Sequence, residues 1–125
     1  MVTFSKPITT ILDNKTASPT SSTSLSDCAT VDTNGVLYMA LGYRLTFAST
    51  ATLGATLRVY GSYDGVTYDN QPYESYVIPF TAGATTIGHY NLTPSPRYLK
   101  ALVTNTGAAT ISGIYLYSET QTATT

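Results

Sequence analysis

Tryptophan is absent, cysteine occurs once, and charge is scarce: only 10% of the 125 residues are Asp, Glu, Lys or Arg, against roughly 25% in an average soluble protein. Each shortage excludes something. A lone Cys28 rules out an intrachain disulfide. One cysteine and one histidine, His89, cannot supply the ligands of a protein-only zinc site. The three lysines and three arginines are scattered and the formal net charge is −1, so no basic stripe exists to neutralise phosphates and no nucleic-acid partner is expected. No run approaches the ~18 apolar residues of a membrane span. Met1 to Pro7 lacks the apolar stretch of a signal peptide, so the expectation is synthesis in a cytoplasm without a visible export signal.

What replaces charge is hydroxyl. The chain carries 24 Thr, 12 Ser and 11 Tyr. Threonine suits strands because its branched Cβ fits a pleated surface, whereas serine suits turns. Hydrophobic residues make up 42%, enough for one core in a chain of this length. A surface low in charge and rich in Tyr and Thr belongs to a protein whose faces end against partners.

Short alternating runs separated by Gly, Pro, Asn and Thr fill the chain. Ile8 to Leu12 reads as a strand with Ile8, Thr10 and Leu12 on one face. Asn14 to Asp27 has almost nothing to bury, so it needs a surface to lie on, its own or a neighbour's. Cys28 to Val31 reads as a short strand. Leu37, Met39, Leu41, Tyr43, Leu45 and Phe47 form the clearest period-two pattern, a half-buried strand. Thr56 to Tyr63 and Val66 to Asp69 read as a hairpin around an Asp64-Gly65 type I′ turn, with Leu57 and Val59 facing the core. Tyr73 to Phe80, Thr85 to Leu92, Arg97 to Thr104 and Thr110 to Tyr117 complete the set. Leu99, Ala101 and Val103 face inward, as do either Ile114 and Leu116 or Ile111 and Tyr115. The polar tail Ser118 to Thr125 is expected to fray. Turn signals every ~8–12 residues, with no helical periodicity, predict an all-β antiparallel sandwich or jelly roll of eight or nine strands. An N-terminal strand and Ser/Thr-rich arm over 1–27 precedes the sandwich domain over 28–125.

Catalytic constellations are missing. His89 reads as a strand side chain and Cys28 as a small buried residue. Asp64, Asp69 and Asn70, like Asp32 and Asn34, are the residues that turns use for local hydrogen bonds, and no loop has calcium-ligand spacing. Glu74 and Glu119 are the only glutamates, and a glycosidase needs two carboxylic acids across one cleft. A non-enzyme with no cofactor and no metal is expected. The candidate contact residues are Tyr60, Tyr63, Tyr68, Tyr73 and Tyr76, because exposed rings anchor protein interfaces or stack on sugars. Asp64 and Gly65 are assigned a structural role in the hairpin turn.

The run Val59-Tyr60-Gly61-Ser62-Tyr63-Asp64-Gly65-Val66-Thr67-Tyr68, followed by Arg97-Tyr98-Leu99-Lys100-Ala101-Leu102-Val103-Thr104-Asn105-Thr106-Gly107 and a final apolar strand from Ile111 to Tyr117, resembles small β-sandwich proteins of tailed-bacteriophage virions. The resemblance covers about residues 36 to 117. It implies a structural virion protein of the capsid decoration, or cement, type. Its partners would be the major capsid protein and further copies of itself in a homotrimer, and its place the capsid surface after synthesis in the host cytoplasm. The alternative implied is a carbohydrate- or receptor-binding module of a phage tail or fibre.

Overall fold

A computed structural model describes residues 2–124. It is all-β, with nine strands in two antiparallel sheets that pack as a β-sandwich. The strands are β1 (Thr3–Ser5), β2 (Ile8–Ala17), β3 (Val31–Asp32), β4 (Val36–Phe47), β5 (Ala55–Ser62), β6 (Glu74–Ile78), β7 (Thr85–Leu92), β8 (Tyr98–Asn105) and β9 (Ile111–Thr124). One sheet has five strands, ordered β7–β4–β9, with β2 and β1 following one another along the far side of β9. The other has four, in the order β3–β8–β5–β6.

The core lies between the sheets and is built by alternation. On β4, Met39, Leu41, Tyr43, Leu45 and Phe47 are buried, and on β5 and β8 so are Leu57, Val59, Leu99, Ala101 and Val103, as the period-two pattern predicts. Leu37 departs from it and is 49% exposed. A register shift between Val36 and Tyr38, which face Thr122 and Gln121, places an extra residue in β4 there and breaks the parity.

Bulges explain two further differences. On β2 a shift between Thr10 and Leu12 turns Ile8 and Thr10 outward while Ile11 and Leu12 are both buried. On β9 the pairing with β4 slips between Ser112 and Tyr115, around Gly113 at φ +57°. Glycine takes that left-handed conformation without a Cβ clash. Ile114 and Leu116 face the core, as the first alternative has it, and the slip brings Ile111 in with them while Tyr115 faces outward.

The expected fraying after Tyr117 is also corrected. β9 continues to Thr124, with Ser118 and Thr120 buried, because β4 pairs along one side of this segment and β2 and β1 along the other. Paired main chain holds a polar sequence that has few apolar side chains to bury. Thr125 lies outside the described residues.

The same device orders the Ser/Thr-rich stretch. β2 belongs to the five-stranded sheet, and Ile11, Leu12 and Ala17 are core residues. Beyond β2 the chain crosses to the free edge of β8. The Thr23 N–H donates to the Val103 carbonyl at 3.0 Å, the Asn105 N–H to the Ser21 carbonyl at 2.7 Å, and the Thr20 N–H to the Gly107 carbonyl at 3.1 Å. Thr23 Oγ1 accepts from the Val103 N–H at 3.1 Å. A 3-10 turn at Leu25–Asp27 follows, capped by Ser24, and leads into β3. Residues 18–30 thus lie along their own sandwich rather than extending from it as an arm.

Candidate contact surface

The Val59–Tyr68 run does not form the predicted two-residue hairpin. β5 ends at Ser62, and residues 63–73 form a loop, with no return strand over Val66 to Asp69. Asp64 is not in the left-handed region, whereas Gly65 is, at φ +78°. Side chains close the loop instead. Asp64 Oδ1 accepts from the N–H groups of Val66 at 2.9 Å and Thr67 at 2.8 Å. Ser62 Oγ lies 2.7 Å from the Thr67 carbonyl and accepts from the Gly65 N–H at 2.9 Å. The donated N–H groups of Thr67 and Val66 hold the Asp64 carboxyl below its ordinary pKa. Asp64 and Gly65 keep a structural role, in a different turn from the one expected.

Nor do the five tyrosines make one platform. Tyr76 faces inward from β6, stacks on Tyr90 with centroids 4.6 Å apart, and meets Tyr43 at 6.1 Å. Tyr73 packs against the core and donates to the Thr93 carbonyl at 2.8 Å. Tyr60 alternates with the buried residues of β5 and is itself part-buried against the core cluster. Tyr68 lies under the Lys100 ammonium, 5.0 Å from its ring centre, and bonds Thr30 Oγ1 at 3.0 Å. Tyr63 alone is fully presented, at 82% exposure. Tyr60 and Tyr76 lie on different strands and the other three on the loop between them, each held by different neighbours, so density along the chain did not become one shared face.

Other candidates separate likewise. Cys28 is buried beside β8 with its thiol 2.9 Å from the Ala101 carbonyl, and burial pushes it up to about 11. His89 stands on the outer face of the opposite sheet, so the two form no dyad. Asp32 is held by Arg97, Nε to Oδ1 at 2.9 Å, and this hydrogen bond, followed by one from the Asn34 N–H, keeps its carboxyl below the ordinary value. That pair fastens β3 to the start of β8. Among the described residues no three His, Cys, Asp or Glu side chains gather as metal ligands would.

The surface that does assemble is the outer face of the five-stranded sheet. The register aligns Thr10, Tyr117, Gly42 and His89 in one row across four strands, and Ile8, Glu119, Ala40 and Asn91 in the next. Tyr115, Arg44 and Ile87 form a third row, with the Arg44 guanidinium 5.7 Å from the Tyr115 ring centre. Gly42 leaves the space that the Tyr117 ring fills. The Tyr117 hydroxyl then meets His89 Nε2 at 3.2 Å, and Glu119 Oε1 lies 3.4 Å from the same nitrogen. All three are part-exposed, so this cluster is a polar seam in a surface and not a buried catalytic relay.

Large apolar side chains stand around that seam: Phe4 at 60% exposure, Ile8 at 65%, Ile87 at 67% and Tyr38 at 70%. Tyr38 rises between two clefts. One, of about 150 Å³, is lined by Lys6, Asn91, Glu119 and Gln121. The other, of about 590 Å³, is lined by Leu37, Leu92 and Pro94. Sequence reasoning missed this surface. Tyr38 was legible as an aromatic on the outward parity of β4, but Tyr117 and Glu119 join it only because β9 continues through the tail.

No protein-family model matches the chain, and no curated protein matches it. Among solved structures it is similar to a protein from the appendages of Bacillus endospores, a family of disulfide-linked pili. The identity is 18% and the TM-score 0.48, over 98% of this chain and 90% of that one. The assignment of the chain as an antiparallel β-sandwich rests on its own strands and pairings.

Proposed function

We propose that this chain is a structural protein of a bacteriophage virion, a capsid decoration protein that binds the assembled shell and stabilises it. The virion role is supported by the sequence resemblance of Val59–Tyr68 and Arg97–Gly107. The mode of action is supported by one observation, the exposure of Phe4, Ile8, Tyr38 and Ile87 on a single outer sheet face. Aromatic and aliphatic groups on an ordered sheet lose little conformational entropy on docking, and such groups carry most of the energy of a protein interface. Since residues 18–30 are engaged with β8, this face, not an arm, is the gripping element.

The test is binding to purified shells and their survival on heating. Shells carrying the protein should withstand a higher temperature, binding should saturate, and the double variant Ile8→Ala, Tyr38→Ala should bind at least tenfold more weakly with unchanged folding. Equal survival with and without the protein, or variant binding equal to the original, would reject the reading.

A second reading, a glycan-binding tail module, is favoured by Tyr38 standing beside Asn91, Glu119 and Gln121. A ring flanked by amides and a carboxylate is the chemistry that holds a sugar. Glycan-array binding abolished by Tyr38→Ala, with no affinity for shells, would select it.

A further inference from the structure

Sheet edges offer unpaired main-chain groups, and proteins ordinarily blunt them with charges, proline, bulges or brevity. Three edges of this sandwich follow that rule. β2 carries Asp13 and Lys15, three register shifts, and Asn14 at φ +50°. β6 is five residues long, begins at Glu74 and is followed by Pro79. β3 has two residues, and residues 20–23 cover the remainder of β8. β7 does not follow it. Its eight residues, Thr85-Thr86-Ile87-Gly88-His89-Tyr90-Asn91-Leu92, contain no Pro, Lys, Arg, Asp or Glu. It pairs with β4 without a register shift, and among the described residues no strand lies on its other side.

Which groups are free follows from the pairing. The Phe47 N–H donates to the Ala84 carbonyl at 3.0 Å, and on the far side of the sheet the Thr120 N–H turns toward β2 and donates to the Pro7 carbonyl at 3.2 Å. Alternation from either end makes Leu45–Thr86, Tyr43–Gly88, Leu41–Tyr90 and Met39–Leu92 the hydrogen-bonded pairs of β4 and β7. Thr85, Ile87, His89 and Asn91 therefore direct their N–H and C=O groups away from the sheet.

We propose that β7 pairs antiparallel with β7 of a second copy of this chain, about a two-fold axis at Gly88, joining two five-stranded sheets into one continuous sheet. In this register Ile87 faces the second copy's His89, and Thr85 faces its Asn91. Each facing pair exchanges two hydrogen bonds, so every free main-chain group of these four residues is met. Residues of like parity face one another, so the core side of one sheet continues into the core side of the other. Moving the axis to Ile87 or His89 meets fewer of the free groups within the strand. Gly88 sits at the close, non-hydrogen-bonded position on the axis, and the Tyr43 ring already occupies the space that a side chain there would need. The side chains brought together are a hydroxyl with an amide and an aliphatic chain with an imidazole, so no carboxylate or ammonium is left facing its like across the joint. The pairing rests on the main-chain groups of the β7 edge and not on shell binding, although Ile87 belongs to both surfaces, and a two-fold contact is distinct from the three-fold association that the sequence resemblance implies.

The pure protein tests this without shells. Sedimentation equilibrium should give twice the 13.3 kDa chain mass. Ile87→Lys, which places an ammonium at an exposed edge position, and Ile87→Pro, which removes a free N–H and no hydrogen bond of the monomer, should each return it to the single-chain mass while still unfolding cooperatively, at a midpoint that no longer depends on protein concentration. Register is read by oxidative cross-linking, since facing residues of a hydrogen-bonded pair lie about 5.5 Å apart, within disulfide reach. The double variant Ile87→Cys, His89→Cys should cross-link between copies and neither single variant should. Cys28 is buried and does not compete. A single-chain mass at all concentrations, an oligomer unchanged by either Ile87 variant, or a single variant that cross-links as readily as the double would overturn the proposal.

Discussion

The two sheets present opposite kinds of outer surface. On the four-stranded sheet, Leu102 has outward parity yet is buried, because the chain's own 3-10 turn lies against β8 and Lys100 donates to the Leu25 carbonyl at 3.0 Å. Tyr68 and Thr30 close the neighbouring gap. On the five-stranded sheet Phe4, Ile8, Tyr38 and Ile87 have no such cover. One surface is covered over β8 by the polypeptide itself, although Val77 on β6 stays 71% exposed, and the other is left open across its strands. Hydroxyl-rich segments with little to bury are spent on main-chain pairing at an edge, and four large apolar side chains share the sheet face that no segment lies over.

The comparison breaks most severely at Asn105, the side chain that pins the start of the covering segment. It is 1% exposed, its amide lies 3.2 Å from the carbonyls of Ala17 and Ser18 and 2.7 Å from that of Ala109, and its Oδ1 accepts from the Gly107 N–H at 3.0 Å. Truncation leaves several buried groups without partners, each costing ~1–3 kcal/mol. Asn105→Ala should therefore destabilise the fold by about 2–4 kcal/mol in chemical denaturation, discounting groups that water reaches. Amide exchange at Val103, whose N–H donates to Thr23, should accelerate before global unfolding, since both outer surfaces are then open. A loss below ~0.5 kcal/mol, the scale of an ordinary surface change, would mean that the segment is held by something other than this side chain.

Two glycines sharpen the difference between packed and open surface within one sheet. Gly88 faces inward and the Tyr43 ring fills the place of its missing Cβ. Tyr43 is buried against Tyr76, and burial, followed by its contact with Tyr76, raises its hydroxyl to about 12. Gly42 faces outward and the Tyr117 ring fills the corresponding place. Gly88→Ala should cost about 1–3 kcal/mol, the range of overpacking in a core. Gly42→Ala should cost under ~1 kcal/mol because the part-exposed Tyr117 ring can swing outward. It should also abolish the Tyr117–His89 contact in NMR spectra. Equal costs at the two sites would show the outer surface to be as rigid as the core.

The sandwich was legible because burial on one face imposes period two, and β4, β5 and β8 obey it. What was not legible arose wherever one residue breaks the period. The bulge at Leu37, the slip at Gly113 and the turned β2 each depend on a partner strand distant in sequence, so no local pattern announces them. The tail was misread for a related reason. Thr120 and Thr122 look like residues that fray, but they lie between β4 and the N-terminal strands, and main-chain pairing does not require apolar side chains. The contact surface shared that fate, since Tyr38, Tyr117 and Glu119 become neighbours only after β9 is placed beside β4. The tyrosine cluster failed in the opposite direction, being close in sequence and divided in space.

The smallest effect concerns the loop of the resemblance motif on the covered side. Asp64 is fully exposed, and its carboxyl is depressed first by the Thr67 N–H, then by that of Val66, with a further contribution from Ser62 Oγ. A carboxyl whose pKa is lower in the folded chain than in the unfolded one stabilises the fold above the unfolded value, and that stabilisation is lost as pH falls through the folded value. The ordinary value is 3.8, so the loop should be intact at neutral pH and loosen below about pH 4. Amide exchange at Val66 and Thr67 should then accelerate relative to the Val103 amide, which depends on no carboxylate. Asp64→Ala should show the accelerated exchange at every pH, and the contrast between the two amides should vanish. Should Val66 and Thr67 stay protected in acid, the loop would be held by Ser62 alone, through its bonds to the Thr67 carbonyl and the Gly65 N–H, and Asp64 would be no more than a tolerated turn residue.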